Sequence, residues 1–232
     1  YKGAIIRGDT TRRQLALVFT GHAYGEGVPA ILQALRQYNA TASFFFTGDF
    51  YRNRAFAPYI RNLRQAGHYL GAHSDKHLLY CDWNNRDSLL VTRQQFVADV
   101  QNNYKAMDRM GVPAAAAPYF LPPFEWYNDS IAAWTRQLGL QLINYTPGTS
   151  SAADYTTPAL PNYISSDSIL AGILRYEATR PAGLNGFLLL LHAGVDPQRP
   201  DPFYHKHLPV LLQALQQKGY QLVTVPALLA GH

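Results

Sequence analysis

Two histidines, His73 and His77, stand four residues apart in LGAHSDKHLLY, where an apolar run gives out. At that spacing both rings can face one point on a turn of helix. Two imidazoles converging on one point begin a metal site for zinc, cobalt, nickel or iron, with zinc the default for redox-free hydrolysis. A third ligand must come from elsewhere. His22, just past the apolar VFTG, is the first choice, and Glu26 and Asp49 are the carboxylate alternatives. The bland alternative for His22 is a loop residue touching solvent.

His192 directly follows FLLLL. An ionisable group ending a buried strand is either a satisfied core histidine or a catalyst at the strand end, and imidazole suits proton donation near neutrality. The catalyst reading is preferred. His205 and His207, in DPFYHKH, read as surface residues on a Pro-flanked loop. PYFLPPFEWYN cannot be a regular helix, because Pro122 and Pro123 force extended geometry. Its aromatics make a wall on which sugar rings can stack. Pro123, Phe124 and Trp126 are the substrate-binding candidates there, with Tyr145 further along the chain. Glu125 is the only carboxylate near those aromatics and so a candidate general base.

The elements that must position these groups alternate short apolar runs with helical stretches. LALVFT, ASFFF, HYLGA, APYFL, LQLINY, GFLLLL and YQLVTV read as strands, with helices between them. Thr92 and Gln95 form a capping-box signature for a long helix that Gly111 and Pro113 close. About seven strand–helix units with no composition break predict one α/β domain over 1–232, and near-continuous apolar strands predict a parallel sheet buried on both faces. The polar groups cluster at strand ends, the rim where α/β folds build their sites.

Bulk properties agree. The 232 residues are 47% hydrophobic and 15% charged, a packed globular composition. The net charge of +5 comes from scattered basic residues, so no nucleic-acid partner is expected. No apolar run approaches the ~18–20 residues of a membrane helix. Cys81 is alone, which excludes an intrachain disulfide and leaves the compartment open. The start at Tyr1 suggests that an upstream targeting segment or domain was removed.

Together these residues resemble the polysaccharide deacetylase family, the NodB-homology group of carbohydrate esterases. HSDKH resembles its H-[ST]-x-x-H metal motif, APYFLPPFEWYN its R-x-P-P-[YF] motif, and LLLLH its closing L-x-H motif. VFTGHAYGEG and ATASFFFTG resemble its first motif and second strand, usually T-F-D-D-G and A-T-F-F. The resemblance implies a distorted (β/α) barrel of about seven parallel strands and one divalent metal ion, usually zinc. It implies hydrolytic removal of acetyl groups from N- or O-acetylated sugars, with His73 and His77 as ligands and His192 as general acid. It also implies a periplasmic or extracellular location, since polymeric substrates lie outside the cytoplasm.

The departures are specific. Thr20 and Gly21 stand where the family has its base and a metal-binding aspartate, and Leu121 where it has the arginine that braces the base. The D-x-x-D-W region is unrecognisable, with NYTPGT in its place. Two explanations follow. The site is rebuilt, with His22 as third ligand and Glu125, Asp49 or Glu26 as base, or the chain is a catalytically altered carbohydrate-binding domain. A third reading is an accessory domain of a longer protein that carries other glycan-active domains.

Overall fold

A computed structural model describes residues 1–230. In chain order the elements are β1 (Gln14–Gly21), α1 (Val28–Gln37), β2 (Ser43–Phe46), α2 (Gly48–Arg52), α3 (Ala57–Gln65), β3 (Tyr69–Ala72) and α4 (Arg93–Arg109). Then come β4 (Tyr119–Phe120), α5 (Asp129–Gln137), β5 (Gln141–Leu142), α6 (Ser166–Thr179), β6 (Phe187–His192), α7 (Phe203–Gln217), β7 (Gln221–Leu222) and α8 (Val225–Leu228). Seven strands alternate with helices in an α/β fold, as the pattern of apolar runs predicts, and the paired strands run parallel. No helix among the described residues is long and apolar enough to cross a membrane.

The chain divides into two compact units, one of residues Tyr1–Ile6 with Phe45–Asn144, the other of Arg7–Phe44 with Tyr145 onward. In the first, β3, β4 and β5 pair in sequence, Ala72 opposite Phe120 and Phe120 opposite Leu142. β4 and β5 are only two residues each, so burial of Phe45, Phe46, Phe50, Phe96, Phe120 and Tyr127 does more than ladder bonds to hold this unit. Each such aromatic contributes about 1.5–3 kcal/mol on leaving water. The capping box forms: Thr92 Oγ1 accepts from the Gln95 amide at 3.2 Å, and Gln95 Oε1 from the Thr92 amide at 2.8 Å. α4 is thereby fixed at its amino end, and Gly111, at φ +76°, closes it with left-handed backbone that other residues adopt at a cost.

In the second unit β1 pairs with β6 along most of its length and with β7 at its start, Gln14 opposite Gln221 and Leu15 opposite Leu222. Its register with β6 runs from Leu15 opposite Phe187 to Thr20 opposite His192. Both strands are buried almost throughout, which is why they read as unbroken apolar runs.

Three local expectations are corrected. DPFYHKH is not an exposed loop: α7 begins at Phe203, because Phe203, Tyr204, Leu208, Leu211, Leu212 and Leu215 form one buried helical stripe. His205 stays at the surface, whereas the His207 side chain is 13% exposed and its Nε2 meets Asp167 Oδ1 at 2.8 Å. α2 is an extra helix, capped by Thr47, whose hydroxyl accepts from the Phe50 amide at 3.1 Å. Pro122 is extended as expected, but residues Pro123–Glu125 then close into a single 3-10 turn.

Candidate functional site

His73 follows β3 directly, and three groups fix it. Its backbone amide donates to Asn103 Oδ1 at 2.8 Å and to the Phe46 carbonyl at 3.2 Å. Its ring Nδ1 lies 2.9 Å from the Leu121 carbonyl. A carbonyl only accepts, so Nδ1 carries the proton and Nε2 keeps its lone pair for a ligand bond, the usual arrangement of a metal-binding histidine. Asn103 is itself fixed, donating to the Phe46 carbonyl at 3.2 Å.

His77 reaches the same place by a different route from the helical turn that its spacing predicts. Ser74 and His77 both have left-handed backbone, at φ +71° and +55°, and the His77 amide donates to Ser74 Oγ at 2.9 Å. The ring centres of His73 and His77 are 5.1 Å apart and tilted by 59°. Two imidazoles on one tetrahedral ion, with Zn–N bonds of about 2.0–2.1 Å, put their centres roughly 5 Å apart, so the pair fits.

α4 holds this loop from behind. Asp99 Oδ1 accepts from the Lys76 amide at 3.0 Å, and Oδ2 accepts from the Tyr80 hydroxyl at 2.6 Å. Burial raises the Asp99 carboxyl above the ordinary range, against hydrogen bonds from Tyr80 and Lys76 that pull it down. Asp99 and Asn103, one turn apart on α4, therefore clamp both ends of the segment from His73 to Lys76.

Asp49 is engaged elsewhere. Its carboxylate meets Lys76 Nζ at 2.5 Å and Arg52 at 2.7 Å, and Arg52 also holds Asp75 at 2.6 Å. Burial pushes the Asp49 carboxyl up, but the Lys76 and Arg52 hydrogen bonds outweigh it and the net shift is downward. A carboxylate held in its charged form by two cations is a weak proton acceptor. Gly48 permits the close approach, since a Cβ there would collide with Asp75.

Phe124 and Glu125 have successive left-handed backbones, at φ +57° and +53°. Together with Ser74 and His77 they place four of the seven non-glycine positive-φ residues among the described residues in two touching loops. Strain of this kind collects where a side chain must be aimed. The Phe124 ring lies 4.4 Å from that of His77, and Trp83 lies 5.7 Å from Phe124 and 5.5 Å from Trp126. Pro123 is buried beneath, and Glu125 is half-buried with its carbonyl accepting from Asn144 at 2.7 Å. The first unit thus brings together His73, His77, Phe124, Trp126 and Glu125's loop, and it adds Trp83, which the sequence reading overlooked. Among the described residues, no group of three or more His, Cys, Asp and Glu side chains forms an ion site.

In the second unit His192 ends β6. Its Nδ1 lies 2.6 Å from Asp154 Oδ1, and its amide donates to Asp154 Oδ2 at 2.9 Å. The Asp154 side chain is 1% exposed and the Tyr155 ring lies 5.1 Å from the imidazole. A buried carboxylate on Nδ1 fixes the tautomer, directs Nε2 away from it and stabilises a positive ring, the orienting role an acid–base histidine needs. Asp154 and Tyr155 were missed in the sequence. The neighbouring chain is pinned by Arg199, which donates to the Thr156 carbonyl at 2.6 Å and the Ile164 carbonyl at 3.0 Å.

Glu26 is a brace. Its carboxylate accepts from the Gly25 amide at 3.0 Å, the Val195 amide at 2.9 Å and the Tyr204 hydroxyl at 3.1 Å, tying the loops that follow β1 and β6. Thr20 Oγ1 is buried with no hydrogen-bond partner among the described residues. His22, just past β1, and Tyr145, just past β5, are half-buried in this unit.

Comparison with known proteins yields relatives over nearly the whole chain. A peptidoglycan-N-acetylglucosamine deacetylase of Bacillus cereus is 20% identical over 222 residues, 95% of this chain and 70% of that protein. A crystal structure of a peptidoglycan N-acetylglucosamine deacetylase superposes with a TM-score of 0.77 at 18% identity, over 98% of this chain and 93% of that one. A CE4 family pseudoenzyme from Bacillus anthracis superposes with a TM-score of 0.74 at 17% identity, over 98% of this chain and 69% of that one. At these identities the superpositions show the fold alone, the distorted (β/α) class that the sequence motifs imply. The polysaccharide deacetylase family itself matches residues 7–143, more than half of the sequence. The chain therefore belongs to the polysaccharide deacetylase family of carbohydrate esterases.

Proposed function

We propose that the chain, acting as one catalytic domain over 1–232, hydrolyses acetyl groups from N- or O-acetylated sugars of a poly- or oligosaccharide. The observation that carries this is the oriented imidazole pair, His73 held through Nδ1 by the Leu121 carbonyl and His77 5.1 Å away. Glycans that contain N-acetylglucosamine are the first substrates to test, since the relatives are named for that sugar.

His73 and His77 would hold one divalent ion, zinc by donor type, with His22 as the third ligand. Such an ion would supply Lewis-acid activation of the acetyl carbonyl and of the attacking water. Glu125 takes the proton of the attacking water, because Asp49 and Glu26 are committed to ion pairs and backbone amides. His192, oriented by Asp154, donates a proton from Nε2 to the leaving amine or alcohol. Pro123, Phe124, Trp126 and Tyr145 position the sugar. A periplasmic or extracellular site of action follows from a polymeric substrate.

Metal analysis of the purified chain, followed by acetate release from a panel of acetylated oligosaccharides, tests this reading. About one ion per chain, lost in His73→Ala, and acetate release abolished in His192→Ala are expected. Wild-type chain that binds no ion and releases no acetate from any of the panel would sink it. His22→Ala with full metal content would remove His22 from the ligand set.

One observation favours a second reading. Thr20 and Gly21 replace the two carboxylates that the family resemblance implies, and the Thr20 hydroxyl is buried without a hydrogen-bond partner among the described residues. In that reading the chain is a carbohydrate-binding pseudoenzyme. A Thr20→Asp/Gly21→Asp variant that releases acetate where the wild type does not would support it.

A further inference from the structure

Between β3 and α4 the chain runs out into a hairpin whose tip carries Trp83. Asp82 Oδ1 accepts from the amides of both Asn84 and Asn85 at 2.8 Å, an Asx turn that sets the tip. The base is closed by the Asp82 amide donating to Ser88 at 2.9 Å, the Leu90 amide donating to Tyr80 at 2.9 Å, and a bridge between Cys81 and Leu89. Trp126 Nε1 donates to the Asp82 carbonyl at 3.2 Å, which fastens the hairpin to the Pro122–Trp126 loop. Beneath it the Arg86 guanidinium lies 3.9 Å from the Trp126 ring centre and donates to the Tyr127 carbonyl at 2.6 Å.

This scaffold holds two large aromatic side chains open to water. Trp83 is 53% exposed and Phe124 40% exposed, with ring centres 5.7 Å apart. An aromatic carried on so well-fixed a hairpin, yet keeping half its surface wet, has not been placed there for core packing. Next to the indole, Asn84 and Asn85 are exposed amides, each able to donate and accept. Apolar faces flanked by amides match a pyranose ring, whose C–H faces are apolar and whose hydroxyls both donate and accept. The platform is continuous with the candidate metal site, because Phe124 touches the His77 ring at 4.4 Å.

We infer that Trp83, with Asn84 and Asn85, forms a second sugar-binding subsite, one step outward from Phe124, so that the chain takes an acetylated oligosaccharide rather than a single acetylated sugar. The sugar that loses its acetyl group rests against Phe124, and its neighbour stacks on the Trp83 indole. The inference deepens the deacetylase reading and rests on it for the identity of the inner sugar.

Isothermal titration of the purified chain with N-acetylglucosamine, its pentamer and an acetylated xylopentaose tests the subsite without requiring turnover. The wild type is expected to bind one of the pentamers more tightly than the monomer. Trp83→Ala should weaken that pentamer by about tenfold and leave the monomer unchanged, while Trp83→Phe keeps most of the affinity. Because Trp83 is exposed, the thermal midpoint should stay within a degree or two of wild type, about the scatter expected of surface substitutions. Equal pentamer affinity in Trp83→Ala and wild type overturns the inference. So does an equal loss for monomer and pentamer, or a wild type that binds no pentamer more tightly than the monomer. Acetate release, measured in parallel, reports separately on the deacetylase reading. Binding through Trp83 without acetate release leaves the subsite standing, and acetate release with Trp83 irrelevant removes the subsite alone.

Discussion

Asn103 receives a hydrogen bond from the His73 backbone amide at 2.8 Å and passes one to the Phe46 carbonyl at 3.2 Å, with no part of its side chain in contact with solvent. Removing that amide leaves the His73 amide only its longer bond to the Phe46 carbonyl, at 3.2 Å, and opens a gap in a buried site. Asn103→Ala should cost about 1–3 kcal/mol in denaturant unfolding and lower metal affinity by roughly 10–100-fold. If metal retention in dialysis stays at wild-type level while stability falls, Asn103 supports the fold but not the orientation of His73.

Asp154 holds His192 through both its ring and its amide. Asp154→Asn preserves size but presents an amide that can donate to Nδ1 and favour the wrong tautomer. Turnover on an acetylated oligosaccharide should fall by about 10²–10⁴, the range of general acid–base contributions, with KM little changed. Steady-state kinetics checks this, and an unchanged kcat would show that His192 needs no orienting carboxylate.

The buried Thr20 hydroxyl has no protein partner among the described residues. Thr20→Val keeps the branched shape and removes an unsatisfied polar group, so it should be neutral or stabilising by about 1 kcal/mol. A drop in the thermal midpoint would mean that the hydroxyl is satisfied by bound solvent.

Burial pushes the Cys81 thiol up to about 11, partly offset by a hydrogen bond from the Asn128 backbone. With almost no thiolate at pH 8, native protein should react with a disulfide reagent far more slowly than denatured protein. Colourimetric thiol titration reads this directly, and equal rates in the two states would contradict it.

Asp201 accepts from the Ser166 amide at 2.6 Å and the Tyr163 hydroxyl at 3.0 Å. Burial pushes its carboxyl up, but these bonds, Arg199 and His207 leave it below the ordinary range. A depressed carboxyl stabilises the fold above its unfolded pKa, about 3.9, and that contribution is lost as pH falls through the lower folded value. Asp201→Asn should therefore destabilise by about 1 kcal/mol at pH 7 and by less as pH drops below about 4. Denaturant midpoints across that interval check it; a pH-independent difference would assign the effect to packing.

The strands that read clearly in the sequence are those buried on both faces. β1 and β6 align over six residue pairs because LALVFT and FLLLLH have no polar interior positions. β4 and β5 read as longer than two residues because the flanking Leu121 and Ile143 are apolar, and hydropathy does not say which apolar residues pair in a ladder. DPFYHKH was misread because Pro202 and two histidines outweigh, in a local reading, an apolar stripe that only emerges over the next three turns. His73, His77, Phe124 and His192 were legible from type and spacing. Asp154 was not, since nothing in the chemistry of an isolated aspartate announces that it lies across from a histidine 38 positions later. Trp83 was passed over because a tryptophan in a polar stretch signals neither core nor site until its exposure is known.

The acceptor that sets the His73 tautomer is a peptide carbonyl, at a position whose side chain is leucine. No codon change at that position deletes a main-chain oxygen. A substitution at Leu121 therefore changes a side chain while the oxygen that aims the imidazole stays in place.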